Sequence, residues 1–189
     1  MPDFSLFILS GGKSRRMGSD KGLMLFQGKP MVKHLIDRYK DITPKIIIIA
    51  NIKDYINFDV PVIKDNYQNC GPIGGIEAGL AYSDTEINLF LSCDNPFVEY
   101  DLLEHLINNR RNSELVFPEF EKKHPFPGLY SMSIHERLKI LIDEGLRKMS
   151  DLKTHFNVCH LNCTSFNKNN FINFNDSKDI ECWNNNLKP

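Results

Sequence analysis

The chain has 189 residues, 41% apolar and 25% charged, enough for a single domain with a continuous core and ordinary for a globular protein. A formal net charge of −1 excludes the global basic excess that would argue for nucleic-acid binding, so any phosphate ligand has to be held by local charge. No stretch approaches the ~20 apolar residues of a membrane span.

The N-terminal apolar run Phe4–Leu9 lacks a basic flank and is too short for a signal-peptide core, so a cytoplasmic protein is expected. The five cysteines, at 70, 93, 159, 163 and 182, are odd in number and irregular in spacing, which disfavours a disulfide framework. Cys159 and Cys163 flank His160, but 155–161 alternates like a strand and no second ligand pair follows, so a zinc site is not expected.

In chain order, Phe4–Leu9 is a short apolar run ended by Ser-Gly-Gly and predicts a buried strand. The loop 10–22 is rich in glycine and basic residues and is too long for a simple turn. Pro30 opens a helical pattern with Met31, Leu35, Ile36 and Tyr39 on one face. The segment 45–50 holds four consecutive isoleucines, a strand buried on both faces. A shorter strand is predicted over 60–64 and a helix over 72–81. Another buried strand spans 86–92, followed at once by the polar turn Cys93-Asp94-Asn95-Pro96. Residues 100–109 predict a helix with a Leu102, Leu103, Leu106, Ile107 stripe, and 115–117 a short strand. Strand and helix thus alternate through the first ~120 residues, which predicts a doubly wound α/β layer with helices on both faces. Beyond it, a strand is expected within 125–130, helices over 135–142 and 146–152, and a loop over 168–175. Asp176 is a suitable cap for a last helix through Trp183. No repeat or linker divides the chain, so 1–189 is expected to be one domain. The asparagine-rich tail reads as compositional bias.

The chemistry concentrates in Leu9-Ser10-Gly11-Gly12-Lys13-Ser14-Arg15-Arg16-Met17-Gly18-Ser19-Asp20-Lys21. Its glycines allow a backbone to approach a ligand closely. Exposed N–H groups in such a turn form an anion-binding concavity. Lys13, Arg15, Arg16 and Lys21 add positive charge, and the loop leaves the carboxyl end of a strand, where open α/β sheets bind ligands. The pattern is neither a P-loop nor a dinucleotide fingerprint. A solvated basic loop with structural glycines is the plainer alternative. No histidine-based metal pattern, nucleophile elbow or paired cysteine nucleophile accompanies it.

This segment resembles the signature of the molybdenum cofactor guanylyltransferases, approximately LAGGxSxRMGxDK, with Ser10 in place of the usual alanine. Further matches follow in the same order: Gly28-Lys29-Pro30, Asn51, Asp65, Gly71-Pro72-Ile73-Gly74-Gly75, Cys93-Asp94-Asn95-Pro96, His124-Pro125 and Asn173-Phe174-Asn175. Some members carry an asparagine where Ile49 stands here. The resemblance implies a Rossmann-like, nucleotide-diphospho-sugar transferase-like domain with a mostly parallel sheet. It implies transfer of GMP from GTP to molybdenum-bound molybdopterin, with release of pyrophosphate. It places Lys21 and Arg16 on the phosphates and Asp94 on Mg²⁺ and the nucleotide. It places Leu9, Ser10, Gly11, Gly12, Asn51, Asp65 and Gly75 in the GTP site. The implied partners are GTP, the molybdopterin acceptor, and molybdopterin-delivery proteins or recipient molybdoenzymes, with no nucleic acid and no membrane. Chemically, a carboxylate suits a hard cation, guanidinium suits phosphate, and a carboxylate such as Asp65 can accept from guanine N1–H and N2–H₂. Taken singly, Asp94 and Asp65 could be turn caps and Lys21 a surface lysine. Two alternatives stay open: a related nucleotidyltransferase using CTP or a sugar-phosphate acceptor, and a nucleotide-binding regulatory protein without turnover.

Overall fold

The computed structural model describes residues 3–10 and 20–186. Among them lie ten strands: β1 Phe4–Leu9, β2 Leu25–Phe26, β3 Lys29–Pro30, β4 Ile46–Ile49, β5 Val62–Ile63, β6 Ile87–Ser92, β7 Leu115–Phe120, β8 Lys122–Lys123, β9 Gly128–Ser131 and β10 Val158–Asn162. The five α-helices are α1 Met31–Tyr39, α2 Pro72–Tyr82, α3 Tyr100–Asn108, α4 His135–Asp143 and α5 Ser177–Asn186.

The main sheet runs β10-β7-β9-β6-β1-β4-β5, with β8 attached to β7. Neighbours are parallel except where β9 lies between β6 and β7 and where β8 folds back on β7. The sequence alternation explains both faces. Leu6, Ile8, Ile46, Ile48, Leu89 and Leu91 face one core with Leu35 of α1 and Leu106 of α3. Phe7, Ile47, Ile49 and Phe90 face the other with Ile76 of α2 and Leu138 of α4. The isoleucine run therefore divides two and two between the cores, as a strand covered on both sides must. Phe7 and Phe90 stack at 4.8 Å across β1 and β6.

From β1 the chain moves outward to β4 and β5, then returns through α2 to lay β6 on the other side of β1. The strand order reverses there, and the crevice beyond the carboxyl ends of β1 and β6 is the expected ligand position of such a sheet.

Several elements differ from the sequence-based expectation. Pro30 closes a β2–β3 hairpin and stands at the N-cap of α1 instead of its first turn. The hairpin turn, Gln27-Gly28, has positive φ at both residues, the geometry that matches strand twist and favours glycine at the second position. The helix expected over 146–152 is a 3₁₀ segment, Met149–Thr154. Strand β7 runs on to Phe120 through Pro118. A third core joins the C-terminal segment to the hairpin: Phe26, Met31, Phe174 and Ile180 are buried, with Phe97 and Trp183 against them. Asp176 caps α5 as expected, its carboxylate accepting from the N–H groups of Lys178 and Asp179. Among the described residues no helix is long and apolar enough to cross a membrane.

Candidate nucleotide site

Two clusters of the expected residues assemble at the carboxyl ends of the central strands. The first joins β1, β4, β5 and α2. Asn51, two residues beyond β4, and Asp65, two beyond β5, bond reciprocally. The Asn51 amide donates to Asp65 Oδ2 at 3.0 Å, and Asp65 N–H donates to Asn51 Oδ1 at 3.2 Å. A Cβ built on Gly75 would lie 2.5 Å from Leu9 Cδ2 and 3.5 Å from Asp65 Oδ1. Any side chain there would push into Leu9 and toward the carboxylate, so glycine keeps the wall of α2 close to both. Burial holds the Asp65 carboxyl above its usual range, with the Asn51 hydrogen bond opposing the shift.

The second cluster joins β6, the turn after it and the C-terminal segment. Lys21 Nζ lies 3.4 Å from Asp94 Oδ2 and donates to Asn175 Oδ1 at 2.9 Å. The longer contact is an ion pair more than a hydrogen bond. Asp94 Oδ1 is buried and has no hydrogen-bond partner among the described residues. The Asp94 carbonyl accepts from Phe174 N–H at 2.8 Å. Asn95 and Asn170 hold the segment from below, through Asn95 Nδ2 to the Asn170 carbonyl at 2.5 Å and Glu99 N–H to Asn170 Oδ1 at 2.7 Å. Asn170 and Asn175 of the tail are therefore fitted into this cluster. Composition gave no hint of this, because Asn175 meets Lys21 across 154 residues of sequence.

Between the clusters, Ser10 is fully buried and its N–H donates to the Ile49 carbonyl at 2.9 Å, while the Leu9 carbonyl accepts from Cys93 N–H at 3.1 Å. The backbone of β1 is thus fixed between β4 and β6 up to its last residue. Asp20 then starts the 3₁₀ turn Lys21–Leu23, its carboxylate accepting from Gly22 N–H at 3.0 Å. The same oxygen accepts from the Tyr55 hydroxyl. Tyr55 is fully buried, and burial pushes its phenol far above the usual value, so the hydroxyl is a fixed donor. Tyr55 escaped sequence analysis because its segment Lys53–Phe58 has no strong periodicity and its partner is 35 residues away. Burial, and Asp94 beside it, also push the Cys93 thiol up, leaving it neutral and unsuited to nucleophilic work. Gly11, Gly12 and Arg16, together with Lys13 and Arg15, lie outside the described residues.

The donor set fits a magnesium ion. Asp94 Oδ1, buried and without a hydrogen-bond partner among the described residues, is a hard oxygen donor of the kind that cation takes. Among the described residues no three His, Cys, Asp or Glu gather into a complete metal cage. Magnesium does not need one, since it binds through one or two carboxylates and completes its shell with phosphate and water oxygens.

A doubly wound sheet with the Asn51–Asp65 pair on one side of the strand-order reversal and the Lys21–Asp94 pair on the other is the arrangement of an α/β nucleotide-binding fold. The chain belongs to the family described as MobA-like NTP transferase domain, whose model matches residues 6–157. It is 38% identical over 189 residues to a "Probable molybdenum cofactor guanylyltransferase" of Flavobacterium johnsoniae, covering 99% of this chain and 100% of that one. It is 32% identical over 187 residues to a "Molybdenum cofactor guanylyltransferase" of Yersinia pestis, covering 96% and 95%. In fold it is similar to the molybdopterin-guanine dinucleotide biosynthesis protein A of Archaeoglobus fulgidus, with a TM-score of 0.81 at 22% identity over 94% of this chain and 95% of that one. A 4-diphosphocytidyl-2C-methyl-D-erythritol synthase from Anaerococcus prevotii shares the fold at a TM-score of 0.74 and 15% identity, over 100% and 99%.

Proposed function

We propose that this chain transfers GMP from GTP to the terminal phosphate of molybdenum-bound molybdopterin, in the cytoplasm, with magnesium bound at Asp94. The observation that carries the reading is the pairing of two unlike clusters across the end of β1: Asn51–Asp65 beside Gly75, and Lys21–Asp94–Asn175. The guanylyltransferase names of relatives at 38% and 32% identity over nearly the whole chain supply the base and the acceptor.

In this reading the Asp65 carboxylate accepts from the guanine N1–H and N2–H₂ edge, and Asn51 holds it in place. Close packing of Gly75 against Leu9 leaves a flat apolar wall for the base. The triphosphate extends past Ser10 toward Lys21. Without nucleotide, the ammonium of Lys21 is shared between Asp94 and Asn175; phosphate oxygens draw it away and leave Asp94 free for the cation. Magnesium, when bound, supplies charge neutralisation on the phosphate oxygens. Arg16 is assigned to the phosphates, the backbone of Gly11 to guanine and Gly12 to the GTP site. An acceptor phosphate oxygen attacks the α-phosphorus in line, forming one P–O bond as the bond to the bridging oxygen breaks, and pyrophosphate leaves with that electron pair. An anionic phosphate needs no general base, so positioning and electrostatics carry the catalysis. Proteins that deliver molybdopterin or receive the dinucleotide are the partners this reading implies.

Thermal stability in the presence of Mg²⁺ and GTP, CTP, ATP or UTP tests the nucleotide assignment. A ligand at about 100 times its Kd stabilises the native state by about 2.7 kcal/mol. A shift with GTP alone, lost in Lys21→Ala, is expected. A larger shift with CTP would replace guanine by cytosine in the assignment.

A further inference from the structure

Sheet order leaves one side of the site for the acceptor. The expected base position lies over β5, β4 and β1, and Asp94 stands in the turn after β6. An acceptor attacking opposite the leaving pyrophosphate has to approach over the strands beyond β6, which are β9 and β7. Beside the end of β7 there is a cavity of about 240 Å³ lined by Phe120, Lys122, His124, Lys168, Phe171 and Ile172, with Glu121 as its one acidic residue. Pockets for drug-sized ligands start near 300 Å³, so this one is sized for a ring system more than for a whole dinucleotide precursor.

Its chemistry suits a planar, hydrogen-bonding heterocycle that carries anionic substituents. Phe120 and Phe171 stack at 4.7 Å and 8°, and the His124 ring lies 4.9 Å from Phe171. His124 Nε2 donates to the Phe120 carbonyl at 3.1 Å, which leaves Nδ1 as an acceptor in the neutral ring. Desolvation lowers the His124 pKa and keeps that neutral form. Lys122 and Lys168 are exposed and positive.

The cavity is also tied to the reaction centre by chain. Phe171 lines it, Phe174 N–H bonds the Asp94 carbonyl, and Asn175 bonds Lys21. Three residues span at most about 11 Å. Resting on the guanylyltransferase reading above, we propose that this cavity holds the pterin ring system of the acceptor. The aromatic set receives the ring, Lys122 and Lys168 face its anionic groups, and the acceptor phosphate reaches back along residues 171–175 to Lys21.

The test uses the full chain and metal-free molybdopterin as probe, with retention measured by equilibrium dialysis and GTP binding measured separately by thermal shift. The double variant Lys122→Glu/Lys168→Glu changes exposed side chains only. A second double variant, Lys40→Glu/Lys153→Glu, makes the same change in net charge at exposed positions elsewhere. The expected result is a Kd for molybdopterin raised at least tenfold in the first variant and within twofold of wild type in the second, with the GTP shift equal in all three proteins. Equal molybdopterin binding by all three would overturn the cavity assignment, as would equal weakening in both variants. If wild type retains no molybdopterin, the cavity assignment falls. The GTP shift then shows whether the nucleotide half of the functional reading stands without it.

Discussion

Asp65→Asn separates the cost of the site to the fold from its use to the ligand. In the folded protein the Asp65 carboxyl has a pKa above its ordinary value, chiefly through desolvation. A carboxyl with a raised folded pKa favours the fold in its protonated form. The penalty is absent below the usual carboxylate range and sets in as pH rises through the raised pKa. Asparagine never ionises, and its oxygen can still accept from Asn51 Nδ2 as Asp65 Oδ2 does at 3.0 Å. The variant is therefore expected to melt at or above the wild-type temperature at pH 7, with the difference vanishing near pH 3. The ligand suffers instead: one charged acceptor for the guanine edge becomes an amide N–H₂ donor. A hydrogen bond to a charged group is worth about 1.5–3 kcal/mol, which is roughly ten- to hundredfold in Kd. Calorimetric titration with GTP and Mg²⁺ at pH 7, beside a melting curve at each pH, measures both. Unchanged GTP affinity in a variant that melts normally would refute the placement of guanine at Asp65. A melting temperature well below wild type at pH 7 would refute the desolvation argument.

Other substitutions probe the remaining parts. Gly75→Ala places a Cβ 2.5 Å from Leu9 Cδ2; overpacking of this kind costs about 1–3 kcal/mol. The variant is expected to bind GTP more weakly than wild type, and full affinity would show that the α2 wall is not part of the base recess. Tyr55→Phe removes the hydroxyl that holds Asp20 ahead of Lys21. It should lower stability by about 0.5–1.5 kcal/mol and reduce kcat more than it raises the KM for GTP; an unchanged kcat would mean that Lys21 is placed without this tether. Phe174→Ala empties the centre of the third core, at about 3–5 kcal/mol, which for a chain of this length is about 6–20 °C in Tm. A smaller fall in scanning calorimetry would mean that the C-terminal segment is held by its polar contacts.

Much of the frame can be read from the sequence because it depends on short-range pattern. Four isoleucines in a row admit few arrangements other than a doubly covered strand, and their division between two cores follows from side-chain alternation alone. Asn51, Asp65 and Asp94 sit just beyond strand ends, so locating the strands locates them. The hairpin at Gln27-Gly28 and the antiparallel β9 are not legible in the same way, since two-residue strands carry no period and orientation is decided by tertiary pairing. Tyr55, Asn170 and Asn175 work through partners 35 to 154 residues away. In the sequence they look like an ordinary tyrosine in a polar segment and two asparagines in an asparagine-rich tail. The Lys21–Asp94 pair was available only through motif resemblance; its geometry, with one buried carboxylate oxygen that has no hydrogen-bond partner among the described residues, belongs to the fold.

Label transfer from [α-³²P]GTP to molybdopterin by the purified chain, with Mg²⁺ present and chromatographic identification of the product, tests the central claim most directly. The account predicts a labelled guanine dinucleotide of molybdopterin formed in equal amount with pyrophosphate, absent when Asp94→Ala replaces wild type although that variant still folds. Transfer of label by Asp94→Ala at the wild-type rate, or no transfer from GTP by a wild-type protein that transfers from CTP, would contradict it.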